Sequence, residues 1–205
     1  MQADSAPLAT PPTIDRVPLW LASSITVVVS LPFGLWLGDF NLPLWVAFIV
    51  WAEYFQLGAK PVVLRTIIPA YLIGVAGATS ITTANALLER VIPDLTIVSR
   101  GDVAAFVSFF AGFCVLIYAM RWMGPTRTGT LPFFNGISMT LGVLFTGAFE
   151  TAVGPDVDAV LLPAVAGIGA ALAGLLGAAL GWFNVAIMFT RPAPGAMLDR
   201  RHLTA

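Results

Sequence analysis

The sequence is poor in the residues that carry most catalytic and metal chemistry. It contains one cysteine, Cys114, and one histidine, His202. A disulfide framework and a thiolate metal cage each need several cysteines, so neither can be built within one chain. A zinc site based on histidines and a Ser-His-Asp triad are excluded as well, because the single histidine lies in the charged C-terminal tail. We therefore predict that the protein is not an enzyme and holds no cofactor or metal.

Charge is equally scarce. Charged residues make up 10% of the 205 residues and hydrophobic residues 58%, whereas soluble domains are about 25% charged. The mean hydropathy is +0.89, so the chain cannot face water on all sides. The net charge is −1 and no basic cluster follows a phosphate backbone, which argues against nucleic acid as a partner. The expected environment is a lipid bilayer.

Six apolar stretches are long enough, or nearly so, to cross a bilayer as helices of about 20 residues. They cover residues 18–38, 42–58, 64–88, 102–123, 131–153 and 159–189. The first is too long for a signal-peptide core and lacks a cleavage site, so we interpret it as a retained span. The sequence thus predicts an all-α polytopic membrane protein of about six transmembrane helices. Three parts are expected: a disordered lead (1–16), a transmembrane domain (17–190) and a basic tail (191–205).

The lysines and arginines predict the orientation. Six spans place the N-terminus, the second and fourth loops and the C-terminus on one side of the membrane. That side carries eight of the ten basic residues: Arg16, Lys60, Arg65, Arg121, Arg127, Arg191, Arg200 and Arg201. The other side carries only Arg90 and Arg100. The positive-inside rule therefore predicts that both termini are cytoplasmic.

The fifth span carries a stripe of polar and small residues. Its members are Asn135, Ser138, Gly142, Thr146 and Glu150, and their spacing of three or four residues puts them on one face of a helix. Polar groups that face lipid lose their water, so the stripe should meet other helices or a wet path. It is interpreted either as the lining of a solute path or as a helix-packing surface.

The second span contains an ionisable residue, Glu53, with Gln56 one turn further on the same face. Ionisable residues inside spans are rare and indicate a functional site, with proton coupling or cation binding as candidates. Alternatively, Glu53 is a structural acid that pairs with Lys60, Arg65 or Arg121 near the cytoplasmic face.

Two further groups complete the candidate solute path. In the third span, Thr82 and Asn85 are polar; hydroxyls commonly bond to their own helix backbone, but an amide needs an interhelical partner or water. At the outer end of the fifth span, Glu150 could form an acidic vestibule with Asp156 and Asp158. These three acids could equally be solvated loop residues.

Small residues form two further patterns. The sixth span has a face of six glycines and alanines, which favours close helix packing against this chain or a second protomer. Its members are Gly167, Ala170, Gly174, Gly177, Ala178 and Gly181. The openings of the third and fifth spans also resemble each other: Arg, Thr and Pro precede a glycine, Gly74 in one and Gly136 in the other. This similarity reflects either an internal repeat or the residues that any inner membrane boundary attracts.

Several aromatic and glycine segments carry a resemblance to a known family. They are Trp45–Phe48, Tyr54–Phe55, the turn at Gly58 and Pro132–Gly136. Over residues 20–185 the chain resembles small bacterial inner-membrane proteins of the YcdZ type, a domain-of-unknown-function family. The resemblance implies a compact multi-pass protein of the bacterial cytoplasmic (inner) membrane. It implies no activity.

Two functions fit these observations. The first is a channel or facilitator for a small neutral or weakly acidic solute, formed by a symmetric homo-oligomer. The second is an accessory or structural subunit of a larger membrane complex. The candidate residues of the solute path are Glu53, Gln56, Thr82, Asn85, Asn135, Ser138, Thr146 and Glu150.

Overall fold

Helices account for most of the chain in a computed structural model of the protein, which describes residues 13–154, 157–189 and 191–192. The α-helices are α1 (Leu19–Leu35), α2 (Leu44–Gln56), α3 (Leu64–Val91), α4 (Asp102–Met120), α5 (Gly124–Thr128), α6 (Thr130–Thr146) and α7 (Leu162–Met188). Single 3-10 turns lie at Gly38–Phe40, Pro61–Val63 and Glu150–Ala152. Two short strands, β1 (Thr13–Ile14) and β2 (Arg191–Pro192), pair antiparallel.

The helices have the length and composition of membrane spans. Three are long and apolar enough to cross a membrane: Pro61–Val91, which is α3 with the turn before it, Asp102–Met120 and Leu162–Met188. Two shorter apolar helices, α1 and α6, accompany them. The prediction of an all-α polytopic membrane protein is confirmed. Among the helices that correspond to the six predicted spans, α2 is the shortest: its 13 residues rise about 20 Å, less than the roughly 30 Å of a hydrocarbon core.

Side-chain contacts between helices give the direction of each one. Residues early in one helix meet residues late in its neighbour when the two are antiparallel, and early residues meet early ones when they are parallel. The pairs are Ser23 with Asn184, Ala47 with Gly177, Tyr54 with Gly181, Glu53 with Asn135, Trp45 with Gly142, Tyr71 with Gly174, Gly167 with Thr79, Leu116 with Gly77 and Ile81 with Gly112. Thus α1, α3 and α6 run one way and α2, α4 and α7 the other, the alternation expected of six successive spans.

The two ends of the described chain lie together. The backbone N–H groups of Arg16 and Val17 donate to the Met188 carbonyl at 3.1 and 3.2 Å, and β1 pairs with β2 just beyond. Both ends therefore lie at the same end of the bundle, as an even number of crossings requires. Residues 1–12 and 193–205, which contain most of the predicted lead and tail, lie outside the described residues.

Helix ends follow local backbone chemistry. Pro43 precedes α2, and Gly58 and Ala59 follow it with φ of +100° and +54°, left-handed conformations that stop a helix. At the end of α6, Gly147 has φ of +63°, so this helix ends at Thr146 and not at residue 153 as the apolar stretch predicted. Glu150 consequently lies in the separate turn Glu150–Ala152.

The small-residue face of α7 packs inside this chain. Gly167 and Gly174 lie against Thr79 and the Tyr71 ring of α3, and Gly177 lies against the backbone of Ala47 on α2. The Tyr71 hydroxyl donates to the Ala170 carbonyl at 3.0 Å. A helix of small residues lets its neighbours approach closely, so α7 forms the centre against which α2 and α3 pack.

The glycines of the two similar helix openings face each other. A Cβ on Gly74 would overlap the Phe133 carbonyl oxygen of α6, and a Cβ on Gly136 would overlap the Tyr71 carbonyl oxygen of α3. The two helices therefore cross with their backbones in contact. Phe133, Ile137, Ala70 and Ala78 fill the space around the crossing, together with other apolar side chains.

Candidate functional site

Helices α2 and α6 meet at two contacts that involve predicted path residues. At the end nearest the chain termini, the side-chain amide of Asn135 donates a hydrogen bond to Oε1 of Glu53. Toward the opposite end, the Trp45 ring covers Gly142, where an added Cβ would lie 2.7 Å from the ring. Because the two helices are antiparallel, residues at helical spacing follow one another on both sides of this line of contact. We call it, with the exposed residues beside it, the α2–α6 seam; it consists of Trp45, Ile49, Glu53, Gln56, Asn135, Ser138, Gly142 and Thr146.

Glu53 is the most enclosed polar residue of the seam. Its side chain is 2% exposed, and its Oε2 atom has no hydrogen-bond partner among the described residues. A buried carboxyl group is costly unless hydrogen bonds or charges surround it. Asn135 satisfies one oxygen only. The Oε2 atom is itself buried, so Glu53 leaves one hydrogen-bond acceptor unsatisfied in the interior of the described chain.

The predicted cationic partners do not meet Glu53. The Arg121 guanidinium lies over the Tyr118 ring, 3.4 Å from its centroid, and 4.2 Å from that of Trp122. Lys60, in the turn after α2, and Arg65, near the start of α3, are both exposed. Neither forms an ion pair with Glu53 among the described residues. The partner that the structure supplies is the neutral amide of Asn135.

The seam opens toward the outside of the chain. Ser138, Thr146 and Gln56 are exposed, and Asn135 is half-buried. The Thr146 hydroxyl donates to the Gly142 carbonyl of its own helix at 2.7 Å, so its polarity is partly satisfied. Within the described residues, α2 covers the predicted stripe at Asn135 and Gly142 and leaves Ser138 and Thr146 exposed.

Three predicted residues lie away from the seam. Thr82 is buried in α3, and its hydroxyl donates to the Ala78 carbonyl at 2.8 Å, as expected for a hydroxyl that bonds its own helix. Asn85 has a buried, unpartnered Oδ1 atom on the same helix. Glu150 lies beyond the outer end of α6, where it lines a depression of about 410 Å³ that also contains Asp39.

The proposed acidic vestibule is only partly described. Asp156 lies outside the described residues, and Asp158 forms an ion pair with Arg90 at the end of α3. Both partners of that pair are about half exposed. Asp158 therefore ties the start of α7 to the end of α3, a structural role that the loop sequence alone did not indicate.

A second buried polar cluster was not predicted from the sequence. Asn184 of α7 is fully buried and donates to the Thr26 and Ser23 hydroxyls of α1, at 3.0 and 3.4 Å. Its Oδ1 atom has no partner in the described chain. Two features of the sequence could have indicated this cluster. Ser23, Thr26 and Ser30 share a face of α1 through their spacing, and Asn184 is a lone amide near the end of an apolar helix.

The chain belongs to a protein family whose function is not known. Residues 19–189 match the DUF1097 family, described as proteins of unknown function. This confirms the predicted resemblance to a domain-of-unknown-function family. Comparison with curated proteins and with solved structures gave no match.

Proposed function

We propose that this protein is a channel or facilitator for a small neutral or weakly acidic solute in a bacterial cytoplasmic membrane, and that it works as a homo-oligomer. The observation that carries the proposal is the α2–α6 seam, where exposed polar side chains lie beside the buried Glu53–Asn135 pair. The eight-to-two distribution of basic residues supports the orientation with both ends in the cytoplasm.

An outward-facing polar seam is unfavourable in a monomer. Lipid tails offer no hydrogen bonds to the Ser138 hydroxyl or the Gln56 amide, and each unsatisfied group costs free energy. A second protein surface or a column of water would remove that cost. Assembly around a closed symmetry axis, with seams facing the axis or the neighbouring protomer, supplies both.

The interior of one protomer is a poor candidate for the path. At the α3–α6 crossing and at Gly177 of α7, backbones approach so closely that a single added carbon would overlap them. Tyr54, Tyr71 and Phe133 are essentially fully buried around these contacts. A solute would therefore move along the surface between protomers, past Glu53 and Ser138.

The polar groups of the seam favour a small solute without a fixed charge. The seam contains one carboxyl, two amides and two hydroxyls, and the only ionisable group among them is Glu53. Selectivity for multivalent ions usually relies on rings of charged side chains or on carbonyl cages. A neutral molecule or a weak acid that exchanges hydrogen bonds with the exposed Ser138 hydroxyl and Gln56 amide suits this lining.

A second candidate function is an accessory subunit of a larger membrane complex. The same seam supports it, because a different polypeptide could cover the exposed polar face as well as a second copy could. The two proposals differ in what the purified protein does alone.

Purification and flux measurements separate the two functions. The channel proposal expects a stable homo-oligomer in detergent and passage of small solutes such as glycerol or acetic acid into liposomes. Glu53→Ala and Ser138→Leu should reduce that flux at least about tenfold, since they change the inner end and the middle of the path. Ser24→Leu, at an exposed serine on α1, is the matched control and should leave flux unchanged. If the liposomes stay impermeable to these solutes and the protein is isolated only together with other polypeptides, the accessory-subunit function is favoured.

A further inference from the structure

Three exposed arginines lie at the end of the bundle where the chain termini meet, the end at which α3 begins and α4 stops. Arg121 follows the last residue of α4, Arg127 lies in α5, and Arg65 lies in the first turn of α3. We call these three residues the arginine cluster. Two contacts within the fold bring them together.

The first contact places Arg121 beside Arg127. The buried Thr126 hydroxyl donates to the Met120 carbonyl at 2.9 Å, so α5 folds back against the end of α4. Arg121 adjoins one residue of this hydrogen bond and Arg127 adjoins the other. The two exposed side chains therefore start from neighbouring points of the surface.

The second contact adds Arg65. A Cβ on Gly129 would lie 3.0 Å from the Thr66 methyl carbon and 2.7 Å from the Ala70 Cβ. The chain just after Arg127 therefore rests on the first turns of α3, where Arg65 adjoins Thr66. Three positive side chains from two separate segments thus share one patch of surface.

No carboxylate balances this patch. Within the described residues, no ion pair or hydrogen bond involves a guanidinium of the cluster, and Arg90 with Asp158 forms an ion pair at the opposite end of the bundle. Arg121 is held by aromatic rings, 3.4 Å from the Tyr118 centroid and 4.2 Å from that of Trp122. A cation–π contact fixes the position of a guanidinium. It does not supply the acceptors that its five N–H groups need.

The length of α4 places the cluster at a boundary of the membrane. Its 19 residues rise about 28 Å, which matches a hydrocarbon core of roughly 30 Å. No charged residue lies between Asp102, which begins the helix, and Arg121, which follows it. Ala104 and Ser108 are its only buried residues, so most of its surface meets lipid. Arg121 therefore lies at the level of the headgroups.

We infer that the arginine cluster binds the phosphate group of an anionic phospholipid in the leaflet that the chain termini face. The guanidinium groups donate to the phosphate oxygens, which accept several charge-assisted hydrogen bonds at once. The exposed Tyr118 and Trp122 rings contact the lipid just below its phosphate. A zwitterionic headgroup would bring a further cation close to three arginines, so the cluster favours an anionic one. The site does not depend on the proposed solute path.

Lipid titration of the purified full chain tests this inference. The protein is delipidated in a neutral detergent, and its binding of phosphatidylglycerol and phosphatidylcholine is measured by native mass spectrometry. The wild type should bind phosphatidylglycerol at least about tenfold more tightly, because several basic side chains attract its net charge. The double variant Arg121→Gln and Arg127→Gln should reduce this preference to about twofold or less. Its binding of phosphatidylcholine should stay unchanged.

The matched control changes an arginine at the other end of the same helix. Arg100 is exposed just before α4, and Arg100→Gln should keep the wild-type preference. If the double variant does not fold, as judged by helicity and gel filtration, Arg65→Gln carries the test and should lower the preference about threefold.

Two results would overturn the site: equal affinity of the wild type for both lipids, or the same loss in Arg100→Gln as in the double variant. Displacement of phosphatidylglycerol by an equal concentration of inorganic phosphate would overturn the lipid as its ligand.

Discussion

A carboxyl group inside a membrane helix must either meet a partner or carry a cost of several kilocalories per mole. Glu53 meets one, the Asn135 amide, and leaves its second oxygen without any partner in the described chain. A neutral partner does not cancel a charge, so the pair differs from a structural ion pair. Buried polar atoms without a partner are uncommon in native structures, and such departures are expected at functional or strained sites.

Removing the amide tests how much this pair contributes to stability. In Asn135→Ala, Oε1 of Glu53 loses its only described partner and neither oxygen is then satisfied while the acid stays buried, so we expect a loss of about 1–3 kcal/mol in the free energy of unfolding. Gln56→Ala is the control, since Gln56 lies exposed in the same seam and should change stability by less than about 0.5 kcal/mol. Thermal or denaturant unfolding in detergent measures both. Equal, small effects of the two variants would mean that water or lipid replaces Asn135.

Residue chemistry indicated Glu53 and Asn135 separately, because ionisable and amide side chains stand out in apolar spans. It did not indicate that they meet. Their contact depends on how far α2 and α6 are rotated and shifted relative to each other, and the large α7 interface sets that arrangement.

At the scale of elements, apolar stretches predicted the helices well and their ends less well. The stretch at 131–153 remained apolar past the residue where the helix stops, because Gly147 turns the chain with φ of +63° while apolar residues continue after it. Hydropathy does not detect backbone conformation. The similar helix openings around Gly74 and Gly136 were more informative, since both glycines prove to be contact points of one crossing.

The α3–α6 crossing should tolerate no side chain. In Gly74→Ala, the new Cβ would overlap the Phe133 carbonyl of α6, so the helices must separate. We expect a loss of about 1–3 kcal/mol, the usual cost of overpacking. Gly124→Ala is the matched control, because nothing lies within 4 Å of a Cβ at that position. Unfolding in detergent measures both variants, and equal stability of the two would contradict this account.

At the scale of the whole molecule, the alternating helix directions and the adjacent chain ends constrain how the protein lies in the membrane. The loop between α3 and α4 must face the side opposite to the termini. Basic residues are in excess at the end of the bundle that carries the termini, so this end should face the cytoplasm. A reporter that is active only outside the cytoplasm should therefore work when fused at Asp94 and fail when fused after Ala205. Activity of the C-terminal fusion outside the cytoplasm would reverse the proposed orientation.

Assembly through the seam gives the sharpest test of how copies of the chain meet. The single cysteine, Cys114, is exposed on α4, so Cys114→Ser gives a background without cysteine into which one thiol can be placed. If seams face each other or a shared axis, Ser138→Cys in this background should form a disulfide-linked dimer in native membranes under mild oxidation, since two thiols must come within bonding distance. Ser24→Cys, on the exposed face of α1, should remain monomeric under the same conditions. If Ser138→Cys cross-links only to a different polypeptide, the protein acts as the accessory subunit. If it stays monomeric with an unreacted, lipid-exposed thiol, the physical basis for a path along the seam is removed.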